Sequence, residues 1–137
     1  MTILGKKRIL LVDDHVDTIN AVRVLLERRG YEVSIAHNVC DAKKAFDQGE
    51  FDLLISDIGL PDGTGHELLI ELIADHPVRA IAMSGYGTDQ DIRNSREAGF
   101  ADHLTKPFNF KHLHETIERV LNDLPVASGG VLPYNRA

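Results

Sequence analysis

Cysteine is almost absent from the 137 residues, and the lone Cys40 has no partner for an internal disulfide or for a cysteine-ligated structural zinc site. Uncharged apolar runs long enough to span a bilayer are missing as well. The opening segment, MTILGKKRILLVDDH, meets charge after five residues, before the apolar centre of a signal peptide could form. Positive charge is in deficit: 15 Lys and Arg stand against 21 Asp and Glu, for a net charge of −6. That balance argues against a surface for nucleic acid or another polyanion, and the small basic cluster Gly5-Lys6-Lys7-Arg8 reads as a solvated strand entry. These absences together predict a cytoplasmic chain with no nucleic-acid partner and no membrane contact of its own.

Familiar catalytic and binding loops are also missing. Neither G-x-G-x-x-G nor G-x-x-x-x-G-K-[ST] occurs, so nucleotide binding by such loops has no support. The segment PDGT at 61–64 lacks the aspartate that a D-x-D-G-T phosphatase motif needs, because Leu60 stands there. HELLI at 66–70 begins like a zinc-protease helix but carries Ile70 in place of the second histidine. A flavin phosphate would be repelled by Asp13-Asp14, and His112 and His114 point to different sides of a helix.

What is present is an alternation. RILLV (8–12), YEVSIA (31–36), FDLLIS (51–56), VRAIAM (78–83) and ADHLT (101–105) have strand length, and the first, third and fourth are apolar enough for burial on both faces. Between them lie amphipathic stretches with helical spacing: Ile19, Val22, Leu25 and Leu26; Ala42, Ala45 and Phe46 behind a capping Asn38; Leu68, Leu69, Leu72 and Ile73. A last helix near 108–123 carries Leu113, Ile117, Val120 and Leu121, and Gly30 reads as a helix C-cap. The fourth helix, about 88–98, offers only Ile92 and Ala98 for apolar contact, which predicts weak anchoring and mobility. Residues 124–137, LPVASGGVLPYNRA, show no period and read as a flexible tail or linker after a single domain at 1–123.

Strand–helix alternation of this kind predicts an α/β doubly wound parallel sheet with helices on both faces. Ligands in such sheets sit beyond the carboxyl ends of the strands. The polar oddities fall there: Asp13-Asp14 after the first strand, Asp57 at the end of the third, Ser84 after the fourth and Lys106 after the fifth. Three converging carboxylates repel and need a cation. Oxygen ligands without cysteine suit Mg²⁺, with Mn²⁺ as an alternative. An aspartate beside that cation, with a lysine and a hydroxyl nearby, is a candidate phosphoryl acceptor.

ILLVDDH, DLLISDIGLPDGTG, AMSGYG and LTKPF resemble the receiver domains of two-component response regulators over about residues 7–122. The loop GLPDGTG is similar to receivers attached to hybrid sensor kinases. The resemblance implies a flavodoxin-like five-stranded sheet in the order 2-1-3-4-5. It implies a chain that is not an enzyme, whose Asp57 accepts a phosphoryl group from the phosphohistidine of a histidine kinase or histidine phosphotransfer protein, with that acceptance and autodephosphorylation at Asp57 as its only, self-directed chemistry. Mg²⁺ would be held by Asp14, Asp57 and the Gly59 carbonyl, with Asp13 acting through water. Ser84 would follow the phosphoryl oxygen, Lys106 would pair with it, and an output partner would bind across the fourth helix, fifth strand and fifth helix.

Three positions refine that picture. His103 stands where the family usually has a tyrosine or phenylalanine that switches with Ser84. Tyr86, two residues after Ser84, is large enough to lean over the site and exclude water. Gly59, two residues after Asp57, leaves its side open. The competing reading is a receiver-like protein-binding module that no longer transfers phosphate; the intact Asp13, Asp14, Asp57, Ser84 and Lys106 set weighs against it.

Overall fold

The computed structural model describes residues 6–122. The expected tail at 124–137 lies outside the described residues. Five parallel strands form one sheet: β1 (Arg8–Val12), β2 (Glu32–Ala36), β3 (Leu53–Asp57), β6 (Arg79–Ser84) and β7 (Asp102–Thr105), in the order β2-β1-β3-β6-β7. A two-stranded antiparallel hairpin, β4 (Gly59–Leu60) and β5 (Gly63–Thr64), sits between β3 and the next helix. With that hairpin set aside, the order is the expected 2-1-3-4-5. The helices are α1 (Val16–Arg28), α2 (Val39–Gln48), α3 (Gly65–Asp75), α4 (Asp89–Ala98) and α5 (Phe110–Asn122).

Strand alternation divides the core between the two faces of the sheet. Leu10, Val12, Leu54, Ala80 and Ala82 pack with Ala42 and Phe46 of α2 and with Leu68, Leu69 and Leu72 of α3. Their neighbours Ile9, Leu11, Leu53, Ile55, Ile81 and Met83 pack on the other face with Ile19 and Leu26 of α1 and Leu113, Ile117 and Val120 of α5. A fully buried Leu or Ile contributes roughly 1.5–3 kcal/mol. By that measure α3 is firmly held and α4 is not, since α4 buries only Ser95 and Ala98, with Ile92 half-buried.

Local chemistry fixes the helix ends. Asn38 accepts the Asp41 N–H at the start of α2, as expected from the sequence. Reciprocal capping boxes, Thr64 with Glu67 and Thr88 with Asp91, open α3 and α4. Gly99 closes α4 with φ near 114°, a conformation that suits glycine.

Candidate functional site

Strand register brings the polar ends together. Val12 pairs with Ser56, so Asp13 stands level with Asp57; Asp57 pairs with Met83, so Ser84 lies one residue further along β6. Ser84 in turn pairs with Thr105, which places Lys106 just beyond the end of β7. The Lys106 N–H donates to the Ser84 carbonyl at 2.7 Å, and the Lys106–Pro107 peptide is cis.

Lys106 Nζ lies 2.8 Å from Asp13 Oδ2 and 3.1 Å from Asp57 Oδ2. Asp13 and Asp57 are both buried, whereas Asp14 is exposed. Burial pushes Asp13 up, but hydrogen bonds from Lys106 and from His15 outweigh it and leave Asp13 below its ordinary value. For Asp57, burial wins over the attraction of Lys106, and its carboxyl rises. Burial pulls the Lys106 ammonium down, yet its two carboxylate partners hold it above the usual lysine range. One ammonium thus pairs with two of the three carboxylates, and the site carries an excess of negative charge.

The carboxylates of Asp13, Asp14 and Asp57 and the ring of His15 offer ligand atoms all within 4.8 Å of one another. Oxygen donors at that spacing, in negative excess, fit a hard divalent cation. A Cβ placed on Gly59 would meet nothing within 4 Å, so that side of the loop is open. His15 is the member that sequence reasoning missed: its Nδ1 sits 2.8 Å from Asp13 Oδ1 and 3.4 Å from Asp14 Oδ1. Its place directly after Asp13-Asp14 was the only available signal.

The loop after β3 is built around two close approaches. A Cβ on Gly65 would stand 2.5 Å from the Asp57 carbonyl oxygen, so α3 begins against the candidate acceptor only because that residue is glycine. Asp62, in the hairpin turn, accepts N–H groups of Val39 and Cys40 at 2.7 and 3.0 Å and so ties the loop to the start of α2. Those bonds hold its carboxyl below the ordinary range.

Ser84 is buried and donates its hydroxyl to the Tyr86 carbonyl at 2.7 Å, while the Tyr86 N–H donates back at 3.0 Å. Tyr86 therefore touches the site through its backbone; it is 74% exposed, so its side chain does not cover the acceptor in this conformation. His103 is turned inward, with Nε2 3.3 Å from Ser84 Oγ and Nδ1 2.9 Å from Ser95 Oγ. Ser95 Oγ lies 3.2 Å from His66 Nε2. Burial lowers the His66 imidazole below its usual value, with the nearby His103 acting in the same direction. His66 and Ser95 were not legible as site residues, since one opens a helix and the other sits in a polar one. Together with Asp57, Gly59 and Ser84 they line a cleft of about 210 Å³. A larger apolar groove of about 660 Å³ opens between α1 and the segment after β7, with Asp13 and Lys106 at its edge.

Residues 9–118 match the family described as the response regulator receiver domain. The chain is 36% identical over 110 residues to an uncharacterized 14.6 kDa protein of Leptolyngbya boryana, covering 78% of this chain and 84% of that one. A CheY-like receiver domain protein from Methanospirillum hungatei has a similar structure, with TM-score 0.81 and 34% identity over 85% of this chain and 94% of that chain. A response regulator from Burkholderia pseudomallei, solved with a phosphorylated aspartic acid, a calcium ion and citrate, aligns with TM-score 0.74 and 28% identity, covering 85% and 66%. The chain spans only 27–52% of the longer regulators it matches and 13% of a sensor kinase.

Proposed function

Because this chain belongs to the response regulator receiver domain family, we propose that it is a phosphoryl-accepting signalling switch whose acceptor is Asp57. The observation that carries this reading is the placement of Lys106 against both Asp57 and Asp13 at the carboxyl edge of the sheet, beside an open Gly59. The proposed receiver unit is residues 1–123, with 124–137 as a tail or linker.

In this reading a carboxylate oxygen of Asp57 attacks the phosphorus of a phosphohistidine, from a histidine kinase or a histidine phosphotransfer protein. The O–P bond forms as the N–P bond breaks, and the imidazole leaves carrying the electron pair. Mg²⁺, or Mn²⁺ in its place, supplies charge neutralisation to the transferring oxygens when bound. Asp14, Asp57 and the Gly59 carbonyl would hold it, with Asp13 acting through water. Lys106 pairs with one phosphoryl oxygen, and Ser84 donates its hydroxyl to another. Loss of the phosphoryl group to water, at the same aspartate, resets the switch.

The apolar groove along α1, with Asp13 and Lys106 at its rim, supports approach of a phosphodonor from that side. The output partner is proposed to bind α4, β7 and α5, because Ser84 and Lys106 border that face and α4 is weakly held. No described helix is long and apolar enough to cross a membrane, and a cytoplasmic location is proposed.

Incubation with acetyl phosphate and Mg²⁺, followed by intact mass measurement, tests the reading. One phosphoryl mass should be gained by the wild-type chain and by no Asp57→Asn sample. A protein that gains none is a binding module that has kept the fold alone. Amide exchange with and without beryllofluoride, a phosphoryl mimic, should differ most over 84–110; change confined to α1 would move the output face elsewhere.

A further inference from the structure

The hydrogens along the chain His66, Ser95, His103 and Ser84 can be assigned one by one. The Tyr86 carbonyl only accepts, and it lies 3.1 Å from His103 Nε2, so Nε2 carries a hydrogen. Ser84 has already given its own hydrogen to that carbonyl, which agrees with Nε2 acting as the donor toward both oxygens. A neutral His103 then has a bare Nδ1, and among the described residues the hydrogen placed to reach it is that of the Ser95 hydroxyl at 2.9 Å. Ser95, 1% exposed, has then spent its single hydrogen and must accept from His66 Nε2–H at 3.2 Å. Side chains from α3, α4, β7 and β6 are thereby joined by bonds that all run in one direction.

The consequence concerns the Tyr86 carbonyl, which has two donors where most acceptors have one. Ser84 can leave it without stranding an unpaired acceptor, provided that His103 stays behind with Nε2–H. We propose that His66 and Ser95 are positioning residues that keep His103 in this Nε2–H form, so that Ser84 can release the Tyr86 carbonyl and turn its hydroxyl to a phosphoryl oxygen on Asp57. This inference rests on the phosphoacceptor reading of Asp57 for its last step only. The aromatic residue usual at position 103 has no hydrogen-bonding nitrogen pair with which to do this, so the device belongs to the histidine present here.

Two-bond ¹H–¹⁵N correlation spectra of the full chain, in slightly alkaline solution where histidines are neutral, read the tautomers directly. Wild-type His103 should show a protonated Nε2 and a bare Nδ1. Ser95→Ala should raise the share of the Nδ1–H tautomer, since the Tyr86 carbonyl alone then favours Nε2–H, and His66→Phe should raise it less. Ser95→Thr, which keeps the hydroxyl at a residue lining the 210 Å³ cleft, should restore the single form. Beryllofluoride with Mg²⁺ should bind Ser95→Ala several-fold more weakly than wild type, and Ser95→Thr nearly as well as wild type. An Nδ1–H tautomer in the wild type, or equal beryllofluoride affinity in wild type and Ser95→Ala, would overturn the proposal. A His66→Phe spectrum identical to wild type would remove His66 from the pair. Beryllofluoride that fails to bind even the wild-type chain would instead refute the Asp57 reading, and the tautomer of His103 would then decide the positioning claim by itself.

Discussion

The Lys106 ammonium stands 3.1 Å from Asp57 Oδ2, having crossed the width of β6 to reach it. Strands in a sheet are spaced by about 4.8 Å, so β7 and β3 lie roughly 10 Å apart, a gap that the four-carbon stem of Lys106 and the side chain of Asp57 close between them. The contact joins the two chain positions that flank Ser84 and makes the sheet edge an electrostatic unit.

Removing that ammonium should cost stability in a pH-dependent way. In Lys106→Met, Asp13 and Asp57 remain buried side by side, and the Asp57 carboxyl, already raised, rises further. A carboxyl with a raised folded value contributes stability that is complete below its ordinary value of 3.8 and lost as pH rises through the folded value. The variant should therefore be about 2 kcal/mol less stable than wild type near neutral pH, less than a fully buried pair because Lys106 keeps some exposure. The deficit should shrink as pH approaches about 4. Urea titrations at the two pH values check this; an equal deficit at both would show that Lys106 acts by packing alone.

Metal binding should depend on Asp14 more than on any other exposed side chain. Asp14→Ala removes the one carboxylate of the Asp13, Asp14 and Asp57 cluster that Lys106 does not engage. Calorimetric Mg²⁺ binding should fall below detection, and phosphorylation by acetyl phosphate should drop at least tenfold. Phosphorylation that proceeds unchanged in EDTA would count against the cation site.

Phosphate lifetime should be insensitive to the Tyr86 ring. Because Tyr86 is 74% exposed and Ser84 is held by the Tyr86 backbone, Tyr86→Ala should keep the lifetime within about twofold of wild type. Loss of phosphate several-fold faster in the variant would mean that the ring folds over Asp57 once the phosphoryl group is present. Intact mass against time, after removal of acetyl phosphate, distinguishes the two.

Mild acid should weaken the fold through His66. Burial lowers its imidazole below the ordinary 6.5, so its contribution is complete above that value and lost as pH falls toward the folded one. Thermal melts at about pH 7.5 and about pH 5.5 should show a smaller loss for His66→Gln than for wild type. Parallel losses would place the acid sensitivity at other groups.

The sequence carried the parts of this molecule that depend on periodicity or on chain order. Continuous apolar runs such as RILLV and FDLLIS announced strands buried on both faces, and the rule that ligands gather at strand ends brought Asp13, Asp57, Ser84 and Lys106 to one edge. Long-range contacts that follow neither from periodicity nor from strand order were invisible. Asp62 capping the Val39 and Cys40 amides is one, since nothing in GLPDGTG points 23 residues back. The β4–β5 hairpin is another: two residues per strand give no alternation to detect. His103 was identified by position, but Ser95, which meets it, and His66, which meets Ser95, were not, because nothing in the pattern of either helix marks which polar residue turns inward.

Helix α4 carries its own supports at both ends, a reciprocal Thr88–Asp91 cap and the left-handed Gly99, while giving the sheet little more than Ala98 and one serine hydroxyl. A segment held together from within but loosely attached responds to a push by sliding or rotating whole, since unwinding would forfeit caps that the sheet does not provide. The helix linked to Ser84 through Ser95 and His103 is in this sense a rigid lever on a soft bearing. A partner gripping α4 would then meet the same helical surface in either state and would sense only its angle.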